Sequence, residues 1–380
     1  MTISQHYTSI VCGCGPAGIM AARYAAVQGP VLLIDTVRLP RNKSCGGMLN
    51  EYAQDFIAKQ LPEKIPDSIL SAPDKIRFRF FDWDRDIRKP TNLTFVNVDR
   101  QGFDEWLMRF LPDNVEVKDN TRLIYATQDC EGVTVQLRAA DDVNAPVTTF
   151  TCDYLVGADG PMGTVRSLLP VSQPQHYKTI QEYLPLVDRL EPYFDCLYAR
   201  GVGKDYGYGY LIPKGDQCIL GSVFFPHTKN AGKLHEKAKM LFSSYYPIET
   251  EPTRREAWSA VQVAHEGDIA SGFGRILLAG EAGGIFSPTS GEGISFALNS
   301  GSLAGTAIAL AQDKWTQIGP RDHMSFEESD ALKLYRIALD PIVRTISRRL
   351  RLFPIINSNW GKYLGGNMPD FVVDYTAHNI

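Results

Sequence analysis

Ser9-Ile10-Val11-Cys12 is a short β-prone run that opens directly into Gly13-Cys14-Gly15-Pro16-Ala17-Gly18. Residues 19–27 are rich in alanine and read as helix, and Val31-Leu32-Leu33-Ile34 reads as an apolar strand ending at Asp35. Strand, glycine turn, helix, strand and acid in that order leave few folds open. Gly13 allows a tight turn, Gly15 lets the backbone approach a pyrophosphate, and Gly18 lets helix and strand pack closely. The helix N-terminus, with Pro16 and Ala17 in its first turn, offers unpaired N–H groups and a partial positive charge. Asp35, followed by Thr36, stands where a carboxylate accepts ribose hydroxyls. The pattern predicts a dinucleotide-binding unit. It leaves NAD and FAD open, because both use it.

Two further strand-to-glycine turns decide between them. Tyr154-Leu155-Val156 runs into Gly157-Ala158-Asp159-Gly160, then Thr164-Val165-Arg166. Arg275-Ile276-Leu277-Leu278-Ala279 leads to Gly280-Glu281-Ala282-Gly283-Gly284, then to Pro288, Gly291, Glu292, Gly293 and Ile294 and a helical run over 295–311. One pyrophosphate does not need three such turns so far apart in sequence, whereas a long cofactor running across one sheet does.

These residues resemble the glutathione-reductase-type FAD fold in its hydroxylase-like branch, in which a Rossmann turn, an Asp-Gly turn and a Gly-Asp turn line one FAD. Three further segments resemble the geranylgeranyl reductase family, CbrA-type bacterial flavoproteins included. They are Ser44-Cys45-Gly46-Gly47, Val98-Asp99-Arg100 with Phe103, Asp104 and Leu107, and Ser287-Pro288-Thr289-Ser290-Gly291-Glu292-Gly293-Ile294.

The resemblance implies that residues 13–18 and Asp35 hold the adenosine half of FAD, and that Arg100 reaches the cofactor with a planar donor fork. Glu281 stands where the family has Asp and would accept ribityl or ribose hydroxyls. Asp159 either supports its turn or touches the cofactor. Pro288, Gly291, Glu292, Gly293 and Ile294 would lie against the flavin ring, with a helix N-terminus favouring the reduced, anionic form. Cys45, with Gly46 and Gly47 beside it, would come near the ring, and its thiol would donate a proton, line a pocket or simply pack.

Composition fixes the setting. At 380 residues, 44% hydrophobic and 22% charged, the chain is long enough for two or three domains with a sizeable core. A net charge of −4 provides no global field for nucleic acid. Seven scattered cysteines read as reduced thiols, with no ligand spacing for a metal. The N-terminal residues carry no signal-peptide pattern, and the uncharged stretch over 293–312 is broken by polar residues and reads as a buried helix. A cytoplasmic setting is therefore expected.

The fold class expected is α/β, α+β overall. A discontinuous Rossmann-like FAD-binding domain (1–72, 96–172, 259–320) is joined by a substrate-binding β-sheet domain (73–95, 173–258) and a C-terminal helical segment (321–380). The middle segment holds many aromatics among strand-like runs. Tyr208-Gly209-Tyr210-Leu211-Ile212-Pro213 resembles the family's Tyr-x-Trp-x-Phe-Pro pocket motif, with Tyr for Trp and Ile for Phe. Such tyrosines form either a wall for an apolar ligand or a sheet face packed on its neighbour. At the C-terminus, Asp340-Pro341 reads as a helix start and Pro354 as its stop. On the helix 341–353, Ile342, Val343, Ile346, Leu350 and Phe353 share one face, and Arg344, Arg348 and Arg351 the other. That helix either touches an anionic membrane surface peripherally or closes a core.

The activity expected is hydride transfer from flavin N5 to a carbon–carbon double bond of an isoprenoid or lipid-like substrate. Cys45, Tyr208 or Tyr210, or water, would give the proton, and NAD(P)H or a protein donor the electrons. Two alternatives share the fold: an FAD-dependent monooxygenase acting on an aromatic or polyketide-like substrate, and a flavin-holding protein with little turnover.

Overall fold

The computed structural model describes residues 3–318 and 328–357. The chain begins β1 (Ile3–Cys12), α1 (Pro16–Ala25), β2 (Val31–Ile34), β3 (Met48–Leu49) and α2 (Glu51–Gln60). It continues β4 (Leu70–Asp82), β5 (Ile87–Val98), α3 (Arg100–Met108), β6 (Val115–Lys118), β7 (Thr121–Gln128), β8 (Val133–Ala139) and β9 (Thr148–Gly157). Then follow α4 (Thr164–Ser167), β10 (Gln175–Pro185), β11 (Tyr193–Tyr198), β12 (Tyr206–Lys214), β13 (Gln217–Phe224) and α5 (Ala231–Ser243). It closes with β14 (Arg254–Gln262), β15 (Gly272–Phe273), β16 (Ile276–Leu278), α6 (Ile294–Ile318) and α7 (Asp330–Asn357).

These elements sort into two units. One gathers Met1–Arg41, Asp104–Pro174 and Val263–Leu350, the other Asn42–Phe103, Gln175–Gln262 and Arg351–Ile380. Residues 42–72 and 96–103, which the sequence assigns to the dinucleotide domain, thus belong to the second unit. The cause is a ladder that no local pattern announces: β3 and β4 both pair with β5, and β4 pairs with β11.

The first unit carries a sheet in the order β15-β16-β9-β1-β2-β6, with β7 and β8 attached through β9. β1 pairs in parallel with β2 and β9, and β16 with β9. Parallel strands are covered on both faces, which is why Val31, Leu32, Leu33 and Ile34 are all buried. α1 and α6 pack backbone to backbone. A Cβ on Gly301 would collide with the Ala17 carbonyl oxygen, and one on Gly305 with that of Ala21. The window Ile294–Gln312 is long and apolar enough to cross a membrane, and 61% of it is buried within the fold.

The second unit is an eight-stranded sheet ordered β14-β10-β13-β12-β11-β4-β5-β3, antiparallel apart from the β11–β4 pair. Side chains alternate between its faces. One face packs under α5, a helix inside a segment that reads as strands throughout; Phe81, Leu197, Leu211, Phe224 and Phe242 form that core. Buried Glu182 holds α5 there, 3.3 Å from His235 Nε2 and 3.1 Å from Lys239 Nζ. The other face carries Ile76, Phe95, Tyr183, Phe194, Tyr210, Ile212 and Ile219.

At the C-terminal end the structure corrects the expected boundaries. α7 runs unbroken through Pro341 and Pro354, with Tyr335 and Ile346 of the same helix buried in the fold. The expected two faces nevertheless hold: Ile346 is buried, whereas Arg344, Arg348 and Arg351 are exposed. Tyr335 anchors the helix by donating from its hydroxyl to the Leu278 carbonyl at 2.9 Å. Residues 319–327 and 358–380 of the expected C-terminal segment lie outside the described residues.

Candidate functional site

In the first unit the three glycine turns meet. β1, β9 and β16 end side by side, where Ala158 N–H donates to the Cys12 carbonyl at 2.8 Å and Ala279 N–H to that of Gly157 at 2.9 Å. Gly13, at φ +105°, has no room for a side chain against the Ala158 carbonyl, so the first turn touches the second. Gly280 stands so close to Ala17 that a Cβ on it would lie 2.9 Å from the alanine methyl, so the third turn touches the head of α1. Turns far apart in sequence therefore line one edge of one sheet, the edge at which parallel α/β sheets take ligands.

The head of α1 is built for an anion. Gly15 is its N-cap, Pro16 follows, and no acid stands in the first turn. Beside Gly15 lies a residue the sequence reading passed over, Arg41, whose Nη2 is 2.6 Å from where a Gly15 Cβ would be. Its Nη2 also bonds Asp104 Oδ2 at 2.7 Å, with side-chain exposures of 16% and 4%, while its buried Nε–H has no partner. A guanidinium over the turn, with an orphan donor, fits a pyrophosphate. Asp35 accepts from Cys14 N–H at 2.7 Å and from Val37 N–H at 3.0 Å, which ties the acid to the turn, and Thr36 beside it is exposed.

Two expected cofactor residues have structural partners here. Asp159 Oδ2 accepts the Val165 N–H at 3.0 Å, capping α4, and burial pushes its carboxyl up to about 6. Glu292 Oε1 accepts the Ser295 N–H at 2.8 Å, so one of the donors expected to face the flavin is spent on a side chain. Burial also raises the Glu292 carboxyl, against the hydrogen bonds from Ser295 and the attraction of Arg349. Pro288 and Ile294 are buried, Gly293 and Glu281 are half-buried, and Gly291 turns at φ +67°.

The remaining expected residues lie in the second unit. Gly46 and Gly47 are close-packed against their own sheet: a Cβ on Gly46 would lie 2.6 Å from Ile212 Cδ1, and one on Gly47 would strike the Val98 carbonyl. Each glycine is therefore required at its position by its own sheet. Gly47 N–H points at Cys45 Sγ, 3.5 Å away, and Cys45 is half-buried. Arg100 is buried at the head of α3.

Tyr208 and Tyr210 share one face of β12. Tyr210 lies over Gly221, donates to Gln181 Oε1 at 3.0 Å and meets Phe194 edge-on at 6.4 Å. Tyr208 tilts against Tyr198, also at 6.4 Å. Burial pushes both phenols well above their ordinary range, making them weak acids at neutral pH. Lys214, next but one after Ile212 and also missed, donates to Asn97 Oδ1 and the Val98 carbonyl. Only its register on β12, two residues past each preceding pocket residue, could have revealed it.

The fold and these turns define an FAD-dependent flavoprotein of the oxidoreductase class. A family model described as an FAD binding domain matches residues 107–193, the stretch that holds the Asp159 turn. The chain is 26% identical to Protein CbrA of Escherichia coli (strain K12) over 318 residues, 82% of this chain and 86% of that protein. Among solved structures it is similar to a geranylgeranyl bacteriochlorophyll reductase-like protein from Thermoplasma acidophilum, with a TM-score of 0.76 at 16% identity, covering 98% of this chain and 90% of the other. It is also similar to the flavin-dependent brominase Bmp2, with a TM-score of 0.70 at 18% identity, covering 98% and 93%. At such identities the structural likenesses speak to the fold.

Proposed function

We propose that the chain reduces carbon–carbon double bonds of an isoprenoid or other lipid-like substrate. The observation that carries this reading is the aromatic face of the second sheet, where Phe194, Tyr198, Tyr208 and Tyr210 present large apolar area and Gly46, next to Cys45, packs against Ile212 of the same strand as Tyr208 and Tyr210. The likeness to the Thermoplasma protein supports it. The alanine and glycine turns with Arg41 and Asp35 hold FAD by its phosphates and ribose, and bound FAD, once reduced by NAD(P)H or a protein donor, supplies the hydride. The rings of Tyr208 and Tyr210 bind the chain of the substrate and exclude water. Their raised phenols leave the Cys45 thiol as the proton holder. Exposed Arg344, Arg348 and Arg351 with Leu352 and Ile355 on α7 suit peripheral contact with an anionic lipid surface, where such a substrate resides.

Oxygen activation is the second reading, favoured by the likeness to the brominase. Anaerobic incubation of the FAD-loaded chain with dithionite and a polyprenyl substrate separates the two. A product heavier by two hydrogens supports the reductase. Unchanged substrate, together with substrate-stimulated oxygen uptake in air, refutes it.

A further inference from the structure

β12 sets Tyr208, Tyr210, Ile212 and Lys214 in succession along one face. Lys214 Nζ donates to Asn97 Oδ1 at 2.5 Å and to the Val98 carbonyl at 2.8 Å. Asn97 is fully buried and spends its amide protons on the Pro73 and Pro213 carbonyls, so its oxygen is fixed toward the lysine. On the other side, the ammonium stands 3.0 Å from where a Gly47 Cβ would be, and the N–H of that same Gly47 points at Cys45 Sγ. Ammonium and thiol thus both approach the same glycine.

We propose that Lys214 and Cys45 are a proton-sharing pair, with Lys214 the positioning residue that holds the 45–47 loop and returns a proton to the sulfur. The proposal rests on the reductase reading above. Bound, reduced FAD would supply a hydride to one alkene carbon; the role of Cys45 would be to give its S–H proton to the other carbon, a C–H bond forming there while the S–H electron pair stays on sulfur. An N–H bond of Lys214 then breaks as S–H reforms, and the neutral amine takes its proton from water. Enclosure of the ammonium pushes Lys214 down to about 8, opposed by Cys45 and Asp99, which places it where a lysine can give and regain a proton near neutrality. Cys45 also acts electrostatically on Tyr183 from β10 and on Tyr210; Glu256 from β14 acts on both tyrosines and Arg254 on Tyr183.

The test is a carbon-13 NMR titration of the full FAD-loaded chain with its lysines labelled at Cε, the Lys214 signal being the one lost in Lys214→Arg. The expected midpoint is near pH 8, lower still in Cys45→Ala, which removes a partner that raises it. A Lys214 midpoint at the ordinary lysine value, or one unmoved by Cys45→Ala, overturns the pair. Should Lys214→Arg not fold, the parent alone decides, because the proposal fails if no lysine signal titrates below about pH 9. In alkene turnover, arginine would rescue a mere clamp but cannot release a proton, so Lys214→Arg is expected to slow the reaction by at least about tenfold. Wild-type-like turnover in that variant overturns the proposal. If the titrations couple and no alkene is reduced, the reductase reading fails while the coupled pair stands.

Discussion

Replacing Arg41 by Met removes the guanidinium over the glycine turn and takes its ion pair from Asp104, whose side chain is only 4% exposed. Two effects are then superimposed. Breaking a buried ion pair from one side costs about 3–5 kcal/mol, and the partial exposure of Arg41 brings that to about 2–3 kcal/mol. For a unit of this size that is a melting-point loss of roughly 5–10 °C. A charge-assisted bond to a phosphate contributes about 1.5–3 kcal/mol, so FAD affinity should fall roughly ten- to a hundredfold. The double variant Arg41→Met/Asp104→Asn separates the two, because it removes the buried carboxylate together with the guanidinium that pairs with it. Melting of the FAD-free protein and titration of FAD by quenching of its fluorescence are the assays. The double variant should recover most of the melting temperature and none of the affinity. FAD binding at parental strength in that double variant would refute the assignment of Arg41 to the phosphates.

Gly301→Val places a branched side chain where the Ala17 carbonyl oxygen stands, and should destabilise the first unit by about 3 kcal/mol or more with loss of FAD. Gly160→Ala, with open space around it but φ +78°, should cost only about 1 kcal/mol, and equal melting losses would contradict this. Because Asp159 is raised to about 6, its contribution to stability is fully present below about pH 4 and is lost as pH rises through 6. Asp159→Asn should therefore flatten the melting temperature between pH 4 and 7, and a curve parallel to the parent's would contradict the assignment. Tyr210→Phe leaves the buried Gln181 without its donor and should cost about 1–2 kcal/mol, while Tyr208→Phe should leave turnover unchanged. A large kinetic loss in Tyr208→Phe would return that phenol to the list of proton donors.

The first turn was legible because its chemistry is local: Gly13, Gly15, Gly18 and Asp35 follow one another at spacings that backbone geometry dictates. The two later turns were legible as strand-then-glycine patterns, and their convergence followed from the length of the cofactor they would share. What stayed hidden depends on distant partners. Nothing near Arg41 shows that it lies over Gly15, and nothing near Lys214 shows that Asn97 and Gly47 surround its ammonium. The domain boundary was misplaced because residues 42–72 and 96–103 join the second sheet through β3 and β5, where Met48 pairs with Asn97, Leu49 with Val96 and Leu70 with Val98. α5 was missed because the aromatic strands on either side set the apparent character of the whole segment. Pro341 was read as a start because a proline's local preference is strong, whereas the packing that carries α7 through it is tertiary.

The contact of Gly301 and Gly305 with α1 also has a temporal meaning. The first helix leaves the ribosome nearly three hundred residues before the helix that braces it. Until that late segment emerges, the phosphate-binding end has no backing, so a growing chain cannot be loaded with its coenzyme step by step. Nascent chains of this protein should acquire yellow colour late and all at once.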